Sequence, residues 1–234
     1  MYKIALSAGH GLNTSGKRCM KKLDPKETRE WFLNNRIADK VEKKLEAYEG
    51  YSLLRVDDTT GKKDIPLSTR TKKANEWGAD DYYSTHHNAG IKGGKGGGIV
   101  VFTYTQVDTS TKELQKDLYE ALIKHTGLKG DRSEPLAKAD FHECRETKMS
   151  AVLMELGFMD SKTDVPIILS EEYAEQCADA IVEVMVKRGK LTKKQPPKTT
   201  KDKVYRVQIF AGSKKGAESA KKKAKAAGFD AIIV

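Results

Sequence analysis

Cysteine is scarce in this chain of 234 residues. Cys19, Cys144 and Cys177 are widely spaced, and no Cys-x-x-Cys occurs. An odd, scattered set excludes a disulfide scaffold and reads as a chain made and kept in reducing conditions. Long apolar runs are also missing, so no segment is expected to span a bilayer. Met1-Tyr2-Lys3-Ile4 enters a strand at once, with no signal-peptide pattern ahead of it, so synthesis in the cytoplasm is expected. Excess positive charge is absent from most of the chain. Residues 187–234 hold 15 Lys and Arg against Asp202, Glu218 and Asp230, a net of +12. The whole chain is +10, which leaves residues 1–186 at about −2. The basic character therefore belongs to the C-terminal part alone. It suits an anionic partner there (nucleic acid, a membrane surface or an acidic polymer) or a solvated tail.

What is present alternates between strand and helix. Tyr2–Ala8 reads as a buried strand, with Gly9 and Gly11 marking a sharp turn around His10. A polar, Lys-rich loop over 12–26 leads to a helix over 27–48, in which Leu33, Ile37, Val41 and Leu45 recur every four residues as one apolar stripe. Further strands are expected at 52–56, 81–86, 99–104 and 150–156. Helices are expected at 67–77, stopped by Gly78, and at 111–125 and 171–188, the last with Cys177 on its inward side. The Gly- and Lys-rich stretch 90–98 reads as a flexible surface loop, and 131–140 as another loop. This alternation predicts an α/β domain, a mostly parallel twisted sheet flanked by helices, over residues 1–190. A basic Pro/Thr/Lys linker over 191–203 follows, then a small C-terminal β-α-β unit over 204–234.

Three of these strands run into a chemically capable side chain: His10 after the first, His86 after Asp81–Thr85, and Glu155 after Ala151–Met154. Glu30 opens the long helix and extends its inward stripe. Parallel α/β sheets bind ligands at the carboxyl ends of their strands. Two His and a Glu, with a further Glu apart from them, is the composition of a catalytic zinc site. Each residue also has a plain explanation. A lone His between glycines is more often a turn residue, and a carboxylate in a helix's first turn favours the helix dipole. Glu155, inside an apolar run, could simply be salt-bridged. His86 and His87 are adjacent on a strand and point to opposite faces, so only one can join a given site.

Together these blocks resemble the zinc-dependent N-acetylmuramoyl-L-alanine amidases, shared by bacterial cell-wall amidases and phage endolysins, over roughly residues 1–190. The matching residues are Ala8-Gly9-His10-Gly11, then Glu30 with Asn34, then Leu67-Ser68-Thr69-Arg70 and Ala74-Asn75. Ser84-Thr85-His86-His87-Asn88-Ala89 and the run Ala151 to Phe158 complete the set. Ser150 stands where the family usually has Pro, and the loop after His10 carries Cys19 and many Lys. The resemblance implies His10, Glu30 and His86 as zinc ligands, Glu155 as the catalytic base, and His87 as the variable position. It implies hydrolysis of the amide joining N-acetylmuramic acid to L-alanine, with Zn2+ as the cofactor and bacterial peptidoglycan, glycan strand and stem peptide, as the partner. Nucleic acid is not expected as a partner. The loop 90–98 and the segment 136–145, with His142, are expected to border the groove.

Residues 204–213, a Lys/Ala helix and Ala226-Ala227-Gly228-Phe229-Asp230-Ala231 are similar to the start of a SPOR domain, a family that binds glycan strands. The match spans about half such a domain and buries little by itself. It is expected to pair with the same unit of a second chain as a homodimer, to dock on the first domain, or to stay poorly ordered. Two other functions fit the same residues: a zinc peptidase cutting the stem peptide, and a non-catalytic binder of wall or other anionic polymer. Without a signal peptide, the enzyme is expected to reach the wall through a holin's action or cell lysis. An endolysin role is favoured over a mother-cell lytic amidase.

Overall fold

The computed structural model describes residues 1–195 and 213–227. The chain divides into two units, Met1–Lys194 and Gln195–Val234. In the first unit the elements run β1 (Tyr2–Ala8), α1 (Glu30–Leu45), β2 (Tyr48–Glu49), β3 (Tyr51–Arg55), α2 (Leu67–Trp77), β4 (Asp81–Asn88) and β5 (Ile99–Thr103). They continue with α3 (Thr109–Thr126), β6 (Leu136–Lys138), α4 (His142–Arg145), β7 (Ser150–Phe158), α5 (Val165–Ile168), α6 (Glu171–Gly189) and β8 (Thr192–Lys193).

Six strands form one sheet in the order β3-β1-β4-β7-β5-β6. The first four run parallel. β5 joins β7 antiparallel, and β6 runs parallel to β5. The sheet is therefore mostly parallel, and helices cover both faces, as the alternation of patterns predicts. The faces are unequal. Helices α1, α3 and α6 pack one side over a large core that includes Leu33, Ile37, Val41, Leu45, Leu114, Leu118, Ile181 and Met185. Each such side chain contributes about 1.5–3 kcal/mol by leaving water. The other face has a small core of Ala5, Val56, Ala74, Tyr82 and Ala151. That side is where polar groups collect.

Several boundaries differ from expectation for local reasons. Helix α1 starts at Glu30 rather than 27, because Glu27 has φ 50 and Arg29 is extended. Gly78, at φ 69, ends α2 in the left-handed conformation that favours glycine. The loop 131–140 contains the short strand β6. The glycine-rich loop 90–98 is pinned. Asp160 accepts from the backbone N–H groups of Gly90 and Lys92, Asp131 from Gly97, and Asp164 from Gly98. A Cβ at Gly96 would overlap the Asp131 carboxylate and one at Gly97 that of Asp164, so glycine at these two positions lets the carboxylates approach. At the start of the expected linker, Leu191 is buried and β8 pairs antiparallel with β2. The linker beyond residue 195 lies outside the described residues. All three cysteines are buried and free.

In the second unit α7 (Lys214–Ala226) is capped by Ser213, whose side chain accepts from the N–H of Gly216. No residue of this helix is buried. The two strands expected to flank it, in 204–210 and 231–234, lie outside the described residues. Among the described residues no helix is long and apolar enough to cross a membrane.

Candidate metal centre

The parallel strands β1, β4 and β7 lie side by side with their carboxyl ends together, which brings distant residues to one place. In register, Ala8 pairs with Thr85, and His86 with Glu155. The next residue after β1 is Gly9, and a Cβ there would overlap the His86 ring. Glycine is thus needed for the imidazole to lie against the turn. His10 follows at φ 67, a left-handed conformation that a non-glycine residue adopts only when its surroundings impose it. Two contacts do so. Asn34 Nδ2 donates to the Gly9 carbonyl at 3.1 Å, and the buried Arg70 Nη2 donates to the His10 carbonyl at 3.2 Å.

Glu30, buried in the first turn of α1, meets both imidazoles. Its Oε1 lies 3.3 Å from His10 Nε2 and 3.1 Å from His86 Nδ1. The two rings are nearly perpendicular, with centroids 5.0 Å apart. One ligand atom from each of His10, Glu30 and His86 lies within 4.8 Å of the others. Burial alone would raise the Glu30 carboxyl, but the two imidazoles hold it well below the usual carboxylate range. Lys17 Nζ, on the loop that precedes α1, lies 3.7 Å from Glu30 Oε2.

His87 takes the other side of β4. Its Nδ1 is 2.8 Å from Asn34 Oδ1, and burial pushes its pKa down to about 3, so the ring is neutral. It serves as a packing and hydrogen-bonding residue that helps hold Asn34. Glu155 carries a buried Oε2 with no hydrogen-bond partner, and burial pushes its pKa up to about 7. His10 Nε2, Glu30 Oε2 and His86 Nε2 are likewise buried without an aligned partner. Unsatisfied buried polar atoms are costly. Three of these residues, His10, Glu30 and His86, each bring a ligand atom into one cluster, a donor set that fits a divalent metal of zinc type, with the Glu155 carboxylate beside it. A cleft lined by Gly9, His10, Asp64, Ile65, Pro66, Leu67 and His86 opens onto it.

A family model described as N-acetylmuramoyl-L-alanine amidase matches residues 4–187. The chain belongs to this amidase family. It is 30% identical over 237 residues to the N-acetylmuramoyl-L-alanine amidase CwlM of Bacillus licheniformis, covering 100% of this chain and 85% of that one. It is 31% identical over 204 residues to the endolysin of Bacillus phage SPP1, covering 85% of this chain and 71% of that one. Among solved structures, an N-acetylmuramoyl-L-alanine amidase from Clostridium difficile 630 superposes with a TM-score of 0.71 at 26% identity. That match covers 80% of this chain and 95% of the other.

The amidase site holds one residue that sequence reasoning missed. Glu143, on the four-residue α4, is buried against the same imidazole, with its Oε2 3.5 Å from His86 Nε2. Burial would raise its carboxyl, but His86, Arg70 and the Tyr82 hydroxyl outweigh that and hold it at about 2. Burial would lower His86, but Glu143 and Glu30 push it up to about 10. The segment 136–145, in which His142 lies, was expected to border the groove. That ring instead lies 3.3 Å from Thr71 Oγ1 on α2, and its neighbour Glu143 faces the site. The one signal for Glu143 in the sequence is a carboxylate a few residues ahead of an apolar strand.

Proposed function

We propose that this member of the amidase family hydrolyses the amide between N-acetylmuramic acid and L-alanine in peptidoglycan. His10, Glu30 and His86 hold zinc, and Glu155 acts as general base. The observation that carries this reading is the convergence of two imidazoles and one carboxylate beside a second, unpaired carboxylate at the strand ends of an amidase fold. Bound there, zinc supplies a Lewis acid that acidifies a water and polarises the scissile carbonyl.

The chain's own residues do the rest. Glu155 takes a proton from the attacking water and passes it to the leaving amine. Arg70 and Asn34 fix the strained His10 turn, so the ligands need no rearrangement when substrate enters. Ile65, Pro66 and Leu67 form an apolar wall of the cleft. The lysines of α7 face solvent and suit an anionic wall, which supports a wall-attachment role for the C-terminal unit. The phage relative supports a lytic use of the reaction, as an endolysin.

The test is digestion of purified peptidoglycan with and without a chelator, read by mass spectrometry. Stem peptides with a free L-alanine amino group, lost on chelation and restored by zinc, are the expected products. Cleavage inside the stem would replace this reading with a zinc peptidase. Intact peptidoglycan from zinc-loaded, folded protein would replace it with a wall-binding one.

A further inference from the structure

Glu143 has no assigned part in that chemistry, yet its carboxylate accepts from three hydroxyls beside the site. Tyr82, Ser84 and His86 alternate along β4 and so line one face of the sheet. Ser7, on neighbouring β1, is the register partner of Ser84. Glu143 lies across this row. Its Oε1 accepts from Ser7 Oγ at 3.0 Å and from the Tyr82 hydroxyl at 2.5 Å. Its Oε2 accepts from Ser84 Oγ at 3.2 Å. Behind them Arg70 Nη1 donates to Ser7 Oγ at 2.8 Å.

A carboxylate has about four acceptor positions. Three are filled, and the remaining one, on Oε2, faces His86 Nε2 at 3.5 Å, an approach not yet aligned as a hydrogen bond. The other nitrogen of the same ring, Nδ1, faces Glu30. A histidine that binds a metal through one nitrogen ordinarily donates its other N–H to a carboxylate or carbonyl, which fixes tautomer and ring plane. Gly9 presses on the flat of the same ring, so the imidazole is held on its face and at its edge.

We infer that Glu143 is a positioning residue for the metal centre: three hydroxyls hold its carboxylate where it accepts the Nε2–H of His86, leaving Nδ1 as the metal-binding atom. This rests on the zinc reading proposed above. It assigns a job to four buried polar side chains, Ser7, Tyr82, Ser84 and Glu143, that the hydrolytic step leaves unused.

The test uses the full chain and Zn2+ alone, without substrate. In the 15N-labelled, zinc-loaded wild type, long-range 1H–15N spectra should show His86 metallated at Nδ1 and protonated at Nε2. Glu143→Gln keeps the shape and removes the charge. Competition with a chelator of known affinity should show it binding Zn2+ about 10- to 100-fold more weakly. Metallation of His86 at Nε2 would overturn the inference even if the variant failed to fold. So would a folded Glu143→Gln with unchanged affinity. A wild type that takes up no zinc would sink the zinc reading and this inference with it, which separates the two failures.

Discussion

Two glutamates lie next to the same imidazole and are treated in opposite ways. Glu155 ends an apolar run on β7, directly across from His86, and its buried Oε2 meets no donor. Glu143 sits on the short α4 and accepts from three hydroxyls. Burial alone pushes a carboxyl pKa upward, and for Glu155 that effect prevails, to about 7. For Glu143 it is outweighed by His86, Arg70 and the Tyr82 hydroxyl, and the value falls to about 2. The lesson is that desolvation supplies a proton acceptor and hydrogen-bond donors convert the same group into a fixed anion. On the proposed reading, one residue type fills a reactive post and a supporting post within one site, distinguished by what surrounds each.

The largest expected effect tests the reactive post. Glu155→Gln should lower turnover on peptidoglycan by about 100- to 10,000-fold, the range for losing a positioned base. The same preparation should retain wild-type zinc content by elemental analysis, because Glu155 lies outside the proposed ligand set. Near-normal turnover in this variant would break the comparison and shift the base to another group. Lost zinc would make Glu155 a ligand.

The second effect falls on the supporting post. Arg70 is fully buried and donates to the carbonyls of Ala8, His10 and Ile65 as well as to Ser7. Arg70→Met leaves those acceptors unpaired and removes the cation behind Glu143, while the surroundings of Glu155 stay as they are. Breaking a buried charge network in this way costs about 3–5 kcal/mol. Urea unfolding should show it as a lower midpoint with an unchanged slope. A loss under about 1 kcal/mol would mean that water replaces the guanidinium and that the network is looser than its distances imply.

The difference between these posts also marks what could be read from the chain. Strands and long helices were legible because their apolar periods are local: Leu33, Ile37, Val41 and Leu45 need only one turn of helix each to declare a face. His10, Glu30, His86 and Glu155 could be singled out because each stands at the end or start of such an element. The structure brings the first three within one ligand set. Glu143 was not legible. It lies in a polar stretch without periodicity, and its partners Ser7, Tyr82, Ser84 and His86 are 57 to 136 positions away. The pinned loop 90–98 was read as flexible for the same reason. Its glycines signal freedom, and the carboxylates that remove it, Asp131, Asp160 and Asp164, come from elsewhere in the chain.

The smallest effect concerns the loop that carries Lys17 to Glu30. Asp24 is buried there, and its carboxylate accepts from the backbone N–H groups of Lys26 at 3.1 Å and Thr28 at 2.7 Å. Burial would raise its pKa, but those hydrogen bonds outweigh it and hold the group below 3.8. A carboxyl whose folded pKa is depressed adds stability above its unfolded pKa and loses it as pH falls through the folded value. Asp24→Asn should therefore cost about 1.5–3 kcal/mol at neutral pH, the scale of hydrogen bonds to a charged group. The gap between wild type and variant in thermal midpoint should begin to close below about pH 3.8. A gap that persisted unchanged into strong acid would mean that the carboxylate's charge is irrelevant and that Asp24 acts through shape alone. A donor-satisfied carboxylate would then not owe its stabilising effect to charge, and the distinction between Glu143 and Glu155 would have to rest on position instead.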